Sequence, residues 1–219
     1  MRKPLPSGSG FFVGANRARG ERAASVSRVP DDLVPWESLR LSTDRLCLRP
    51  PTARDAEALY DLFADPEVMD GLGMTPVSAV SGAGALIGAG IDSWRTDGLG
   101  PFVFEDPATG RIVGQAGLMV FDRRGWTPAN RASAGPHAQP ELGWALMRAH
   151  WGRGYATEGA TAIRAWAYES RSVDTLVSLI TPGNVRSQRV ARRLGATPGE
   201  TVTPVDSGRT AVVWHHAAA

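Results

Sequence analysis

The chain of 219 residues holds one lysine, Lys3, and one cysteine, Cys47. A single cysteine cannot form an internal disulfide, so no disulfide framework holds the fold, in keeping with a reducing compartment. Metal-ligand spacing is also missing. His150, His215 and His216 stand at no zinc-site interval from Cys47 or His137, and no metal is expected. The basic residues number 24 against 22 acidic ones, a formal net charge of only +2. The pI near 9.1 reflects arginines, which do not titrate near neutrality, and not a polycationic face for nucleic acid. No apolar run approaches the ~18 residues of a membrane-spanning helix. The basic N-terminus lacks an apolar stretch of signal-peptide length. The chain is therefore expected to be cytoplasmic, with neither a nucleic-acid nor a membrane partner.

What remains is an ordinary globular composition, 42% hydrophobic and 21% charged, enough for one domain. Residues 1–38 are rich in Gly, Ser, Arg and Pro and show no apolar period. They are expected to form a flexible tail, with Phe11 and Phe12 as docking points. The domain proper is assigned to residues 39–219.

Alternation at Leu46 and Leu48 marks a first strand. Thr52 or Asp55 then caps a helix carrying Ala56, Leu59, Tyr60, Leu62 and Phe63, which Asp65-Pro66 ends. A weaker helix covers about 80–94. Residues 101–105 and 111–121 read as two strands across a Pro-Gly turn, and polar residues 122–140 as an exposed loop. A short strand at 141–147 leads through Gly152 and Gly154 into a helix reaching about Ser170, followed by a strand at 174–180. Strand, helix, strand is a βαβ unit, so those two strands should be parallel. A helix over 184–194 ends at Gly195, and strands near 200–203 and 210–214 close the chain. The fold class is α/β, a mixed sheet of about seven strands with helices on both faces.

The segment from Arg148 to Glu158 leaves a strand and enters a helix through Gly-x-Gly. Glycines let the backbone approach a ligand, and the free N–H groups of a first helical turn suit an anion such as pyrophosphate. Gly82-Ala-Gly-Ala-Leu-Ile-Gly88 misses a dinucleotide fingerprint by one residue and reads as a small-residue helix. Glu141 begins a strand beside this junction, where a carboxylate can take a proton or pair with an arginine. Ser187 shares a helix face with Val190, Ala191 and Leu194, and Asn184 is an evident N-cap. Ala156, Ala160, Ile163 and Ala167 form a packing stripe.

Three ordered fragments resemble the GNAT acetyltransferases, in particular the branch that includes the ribosomal-protein-alanine N-acetyltransferases (RimJ/RimL type). They are Thr43-Asp-Arg-Leu-Cys-Leu-Arg-Pro50 with Asp55-Ala and Asp65-Pro-Glu-Val-Met69; Glu141-Leu-Gly-Trp144 leading to Trp151-Gly-Arg-Gly-Tyr-Ala-Thr-Glu158; and Asn184-Val-Arg-Ser187 leading to Arg193-Leu-Gly195. The resemblance covers about residues 39–216. It implies a sheet whose two parallel central strands splay to hold acetyl-CoA. Carried over by position, Gly152, Arg153, Gly154, Tyr155, Ala156 and Thr157 hold the pyrophosphate, with Arg148 nearby. Trp144, Ala145 and Leu146 pair with the pantetheine arm, and Asn184 bonds its amides. Glu141 is the general base, and Ser187 lies near the thioester sulfur. The implied reaction is direct transfer of an acetyl group to a primary amine, on a protein N-terminus or a small molecule, by a monomer or homodimer. Two positions depart from the family pattern. Ala149 stands where Gln or Arg is common, and Ala191 where many relatives carry a tyrosine acid. The second departure favours the rival implication, a non-catalytic acyl-CoA-binding or interaction module that keeps the fold.

Overall fold

The computed structural model describes residues 35–218. The proposed docking residues Phe11 and Phe12 lie outside them. The strands are β1 (Leu41–Ser42), β2 (Cys47–Arg49), β3 (Pro101–Glu105), β4 (Ile112–Asp122), β5 (Thr127–Ala129), β6 (Ala138–Leu146), β7 (Leu176–Ile180), β8 (Thr197–Val202) and β9 (Ala211–His216). The helices are α1 (Ala56–Ala64), α2 (Pro66–Gly71), α3 (Val80–Asp97), α4 (Arg131–Ala134), α5 (Tyr155–Ser170) and α6 (Val185–Arg193). One sheet runs β1-β2-β3-β4-β6-β7-β9-β8, with β5 hanging off β4. Among the described residues only β6 and β7 are parallel neighbours.

The mixed sheet, the βαβ unit and the helices on both faces are as the sequence pattern implies. Nine strands replace about seven, because β1 and β5 are too short to show a period of two. Asp65-Pro66 does more than end α1. The Asp65 carboxylate accepts from the N–H groups of Glu67 and Val68, and Pro66 opens α2, where a missing N–H costs nothing.

Residues 122–140 are not one exposed loop. They carry β5, α4 and the first three residues of β6, with Gln139 7% exposed. Polar composition suggested a loop, yet the segment's last residue, Pro140, pairs with Val120 inside the sheet.

Side-chain alternation splits the apolar residues between the faces. Phe102, Phe104, Leu142, Leu176, Ala160, Ile163 and Ala167 pack together under α5, and Trp94, Phe102 and Trp166 form an aromatic group with centroids 5.0–5.6 Å apart. Leu59, Leu62, Phe63, Ile87, Val103 and Ala145 fill the other face under α1–α3. Trp36, from the stretch expected to belong to the tail, stacks on Trp94 at 5.9 Å. Trp36→Ala removes half-buried aromatic area and one stacked pair, together about 1–2 kcal/mol. For a domain of this size the melting temperature should fall by a few degrees, measured by calorimetry.

Candidate active site

The site is built where β6 and β7 part. Their register contains one pair, Glu141 opposite Val177. The Met147 N–H donates to the Val113 carbonyl on the β4 side, so odd-numbered residues of β6 face β4 and even-numbered ones face β7. A continuing parallel ladder would next join the Leu179 N–H to the Leu142 carbonyl. That rung is replaced by side chains. The Leu179 N–H donates to Glu141 Oε1 at 3.2 Å, and Ser178 Oγ donates to the Leu142 carbonyl at 2.6 Å. The preceding rung would need an N–H at Pro140, which has none. Gln139 Nε2 donates to the Thr175 carbonyl instead, at 3.3 Å. Past Leu142 no residue of β7 pairs with β6, and the N–H groups of Trp144 and Leu146 face the gap. At its far end the Leu146 carbonyl accepts from Trp151 Nε1 at 2.7 Å.

Glu141 and Ser178 reach this seam from opposite faces. Leu142 and Leu176 lie on the α5 face, so Ser178 lies there too, while Glu141 faces α1–α3. Glu141 is 9% exposed. Burial pushes its carboxyl up to about 7, against the opposing pull of the Leu179 N–H. Ser178 Oγ also lies 2.9 Å from His216 Nε2. Its proton is committed to Leu142, so Nε2 carries the hydrogen and donates. Burial, with the charges of Arg164 and His215, lowers His216 to about 4. A cavity of about 440 Å³ opens over the gap on the Glu141 face, bounded by α1–α3, β4, β5 and the β8–β9 loop.

The Gly-x-Gly turn lies beyond the end of β6. Gly152 and Gly154 have φ of +75° and +84°, conformations that favour glycine. Gly154 is the N-cap of α5, and no side chain caps its first turn. Arg45 wraps this loop. It donates to the Arg153 carbonyl at 2.9 Å and to Glu158 at 2.7 Å, and stacks over Tyr155 at 4.7 Å. Thr43 Oγ1 joins the same Glu158 at 2.6 Å. The first and second sequence fragments are thus bolted together, leaving the loop backbone facing outward.

The other candidate residues are placed as follows. Ala145 is buried in β6, Trp144 half-buried, and Ala156 and Thr157 lie half-buried in the first turn of α5. Arg153 is exposed. Arg148 is held bidentate by Asp65, at 2.9 and 2.7 Å, and by Glu67 at 2.7 Å, and keeps the Asp65 carboxyl down at about 2. Asn184 Oδ1 accepts the Ser187 N–H as an N-cap, and Nδ2 donates to the Gly71 carbonyl at 3.2 Å, so both ends of its amide are engaged. Ser187 is half-buried, and its hydroxyl has no partner among the described residues. Ala191 is sealed beneath α6 against Ile180 and Trp214. Among the described residues no cluster of His, Cys, Asp and Glu could hold a metal ion, and no helix is long and apolar enough to cross a membrane.

Sequence reasoning missed Ser178, Trp151 and Arg45. Ser178 is the one polar residue within the apolar β7, a signal that was available. Trp151 and Arg45 stood inside the quoted fragments without a role.

The acetyltransferase (GNAT) domain model matches residues 45–197, and the chain belongs to this family of acyltransferases. The uncharacterized protein YkkB of Bacillus subtilis is 30% identical over 167 residues, 74% of this chain and 88% of its own. A crystal structure of an acetyltransferase from Agrobacterium tumefaciens superposes with a TM-score of 0.66 at 29% identity, covering 91% of this chain and all of its own. The microcin C7 self-immunity acetyltransferase MccE, solved with acetyl-CoA and AMP, has a TM-score of 0.63 over 80% of this chain and 94% of its own. At 16% identity it shows the fold alone.

Glu141 also sets a stability test. The folded chain holds this proton up to about pH 7, the unfolded chain only to about 4.5. Stability fully present below 4.5 is therefore lost as pH rises through 7. Glu141→Gln escapes that loss. Denaturant melts should show little change at pH 4.5 and a gain on the order of 3 kcal/mol at pH 8.

Proposed function

We propose that the chain transfers an acetyl group from acetyl-CoA to a primary amine of lowered pKa, in a single complex of both substrates. The observation that carries this reading is the opened seam. The unpaired N–H of Trp144 and a buried carboxylate with its pKa near 7 line one cavity, the unpaired N–H of Leu146 follows along the strand, and a glycine loop with an uncapped helix N-terminus lies beyond the strand's end.

The residues divide the work. The backbone of residues 152–157 accepts the pyrophosphate, helped by the dipole of α5 and by exposed Arg153. The edge at Trp144, Ala145 and Leu146 pairs with the pantetheine amides as a strand would. The outward N–H of Trp144 suits the thioester oxygen, where charge develops during transfer. Glu141 takes one proton from the ammonium, the amine nitrogen bonds the acetyl carbon, and the carbon–sulfur bond breaks as CoA leaves as thiolate. The second proton lost from the nitrogen passes to the sulfur through the Ser187 hydroxyl, which gives up its own proton and regains this one. Asn184 and Arg148 act from behind, fixing α6 and the β6–α5 loop against α2.

Glu141 also limits the acceptor. Passing a proton from a lysine-type ammonium near 10.4 to a carboxylate near 7 is uphill by about 4–5 kcal/mol, and from an α-amine near 7.8 by only about 1 kcal/mol. An α-amine fits, whether on a protein N-terminus or a small molecule. A non-catalytic module would need Glu141 only as the acceptor of the Leu179 N–H, a task that does not require a group able to take up a proton near pH 7.

Thiol release from acetyl-CoA with an α-amine tests the reading. Activity should rise with pH through about 7 as Glu141 loses its proton. Glu141→Gln should lower kcat about 10²–10⁴-fold at pH 7 with acetyl-CoA affinity retained in calorimetry. Absence of saturable acetyl-CoA binding by the intact protein would refute it.

Gly154→Val probes the loop separately. A branched residue at φ +84° is strained, and its Cβ would lie 3.3 Å from the Arg45 guanidinium. The variant should lose CoA affinity while remaining folded by circular dichroism. Unchanged affinity in a folded variant would assign the glycines to the turn alone.

A further inference from the structure

The cavity over the seam carries information about the acceptor beyond its amine. Among the described residues its charged lining consists of Glu141, Asp206 and Arg209. Arg209 is spoken for by Asp70, with its guanidinium 2.9 Å from the carboxylate and 3.1 Å from the main-chain carbonyl. Asp206, exposed at the rim, has no partner among the described residues. The site therefore offers one buried and one rim carboxylate, enough for a single ammonium and its approach, and too few for a polycation.

The rest of the wall is mostly apolar and in part exposed, with Ser93, Gln115, Ser178, Thr181 and Ser207 as its uncharged polar members. Met74 and Met119 are each 44% exposed and both line the cavity. Thioether side chains of this kind adapt to apolar ligands of varied shape. Trp126 lines it too, and does so from a φ of +53°. A bulky residue in this left-handed region is an outlier, and such outliers persist where the surroundings over-determine them. Two features hold this one. The hairpin is closed by the pairing of Asp122 with Thr127, and the Gly125 carbonyl accepts the Val205 N–H of the β8–β9 loop at 3.0 Å. The loop that brings Asp206 to the rim is thus tied to the turn that presents Trp126.

We propose that the acceptor is a small molecule bearing one amine on an aromatic body, with the body against Trp126, Met74 and Met119 and the amine directed to Glu141. The assignment rests on the acetyl-transfer reading. It excludes polyamines and aminoglycoside-like polycations. It places Trp126 as the specificity-determining residue.

The test compares phenylalaninamide with alaninamide, two α-amino amides that differ only in the ring. A polyamine (spermine) and a tripeptide with N-terminal Phe complete the panel, and acetyl-CoA affinity is measured separately by calorimetry. Phenylalaninamide should exceed alaninamide in kcat/KM by about tenfold, the fold-change expected of one ring contact. Trp126→Gly removes the ring yet suits the left-handed backbone, so it should fold and bring the ratio to about one. A ratio is insensitive to the fraction of active enzyme, so partial misfolding does not mimic the effect. Equal use of the two amides by the wild type, or a ratio unchanged in Trp126→Gly, would overturn the aromatic wall. Preference for spermine would overturn the single-charge argument, and preference for the tripeptide would replace the small molecule with a polypeptide terminus. Acetyl-CoA binding without turnover of any amine would refute the acceptor class and leave the cofactor site standing. Loss of acetyl-CoA binding in the wild type would instead remove the underlying reading.

Discussion

A single paired position, Glu141 opposite Val177, joins the two halves of this sheet, and the site depends on the ladder being that short. A sheet normally gains from extending its ladder, because unpaired N–H and C=O groups inside a protein are costly. Here the ladder stops, and three side chains take over what it would have bonded. Gln139 serves the Thr175 carbonyl, Ser178 the Leu142 carbonyl and Glu141 the Leu179 N–H. These substitutions hold β6 and β7 apart while satisfying the groups at the fork. Only Trp144 and Leu146 are left to offer N–H groups to a ligand.

The same arrangement sets the electrostatics. A carboxylate filling the place of a carbonyl is more deeply buried than its charge favours, and that burial raises its proton affinity into the useful range. The feature that opens the strands thus also tunes the group beside the opening. Ion pairs then assemble the surrounding parts. Glu158 anchors Thr43 and Arg45, Asp65 and Glu67 anchor Arg148, and Arg186 of α6 pairs with Glu67 of α2 while stacking 4.2 Å over Trp151. Mostly exposed pairs of this kind contribute little to stability individually. Their role here is geometric, bringing three distant sequence fragments to one place.

Much of this was legible in the sequence because it is local. Periodicity marked β2, α1 and α5, apolar runs between turn residues marked β3, β4 and β7, and the order strand–helix–strand required the parallel pair. Gly152 and Gly154 announced positive φ. What was not legible is non-local. Nothing in the spacing says that Asn184 spends its amide nitrogen on Gly71, or that Arg148 is claimed by Asp65 from 83 positions away. The start of β6 was hidden in a polar stretch, and Pro140 is tolerated there because a neighbour, Gln139, supplies the donor that its missing N–H would have been. Trp126 gave no local sign at all, since its left-handed backbone is imposed by the hairpin and the β8–β9 loop together.

The seam holds two titrating groups of opposite kind, and their effects on stability oppose each other. Glu141, raised to about 7, withdraws stability as pH climbs above its unfolded value of about 4.5. His216, lowered to about 4, withdraws stability as pH falls below its unfolded value of about 6.5. Between about 4.5 and 6.5 the folded chain keeps Glu141 protonated and His216 neutral, so neither places a net charge in the seam. The two slopes there are similar in size and opposite in sign, and together they leave stability nearly flat. Between about 6.5 and 7 the His216 slope has ended and only that of Glu141 remains, so stability declines there and levels off once the folded carboxylate has lost its proton above about 7. The burial that gives this position its basicity is the same burial that withdraws stability when the charge appears.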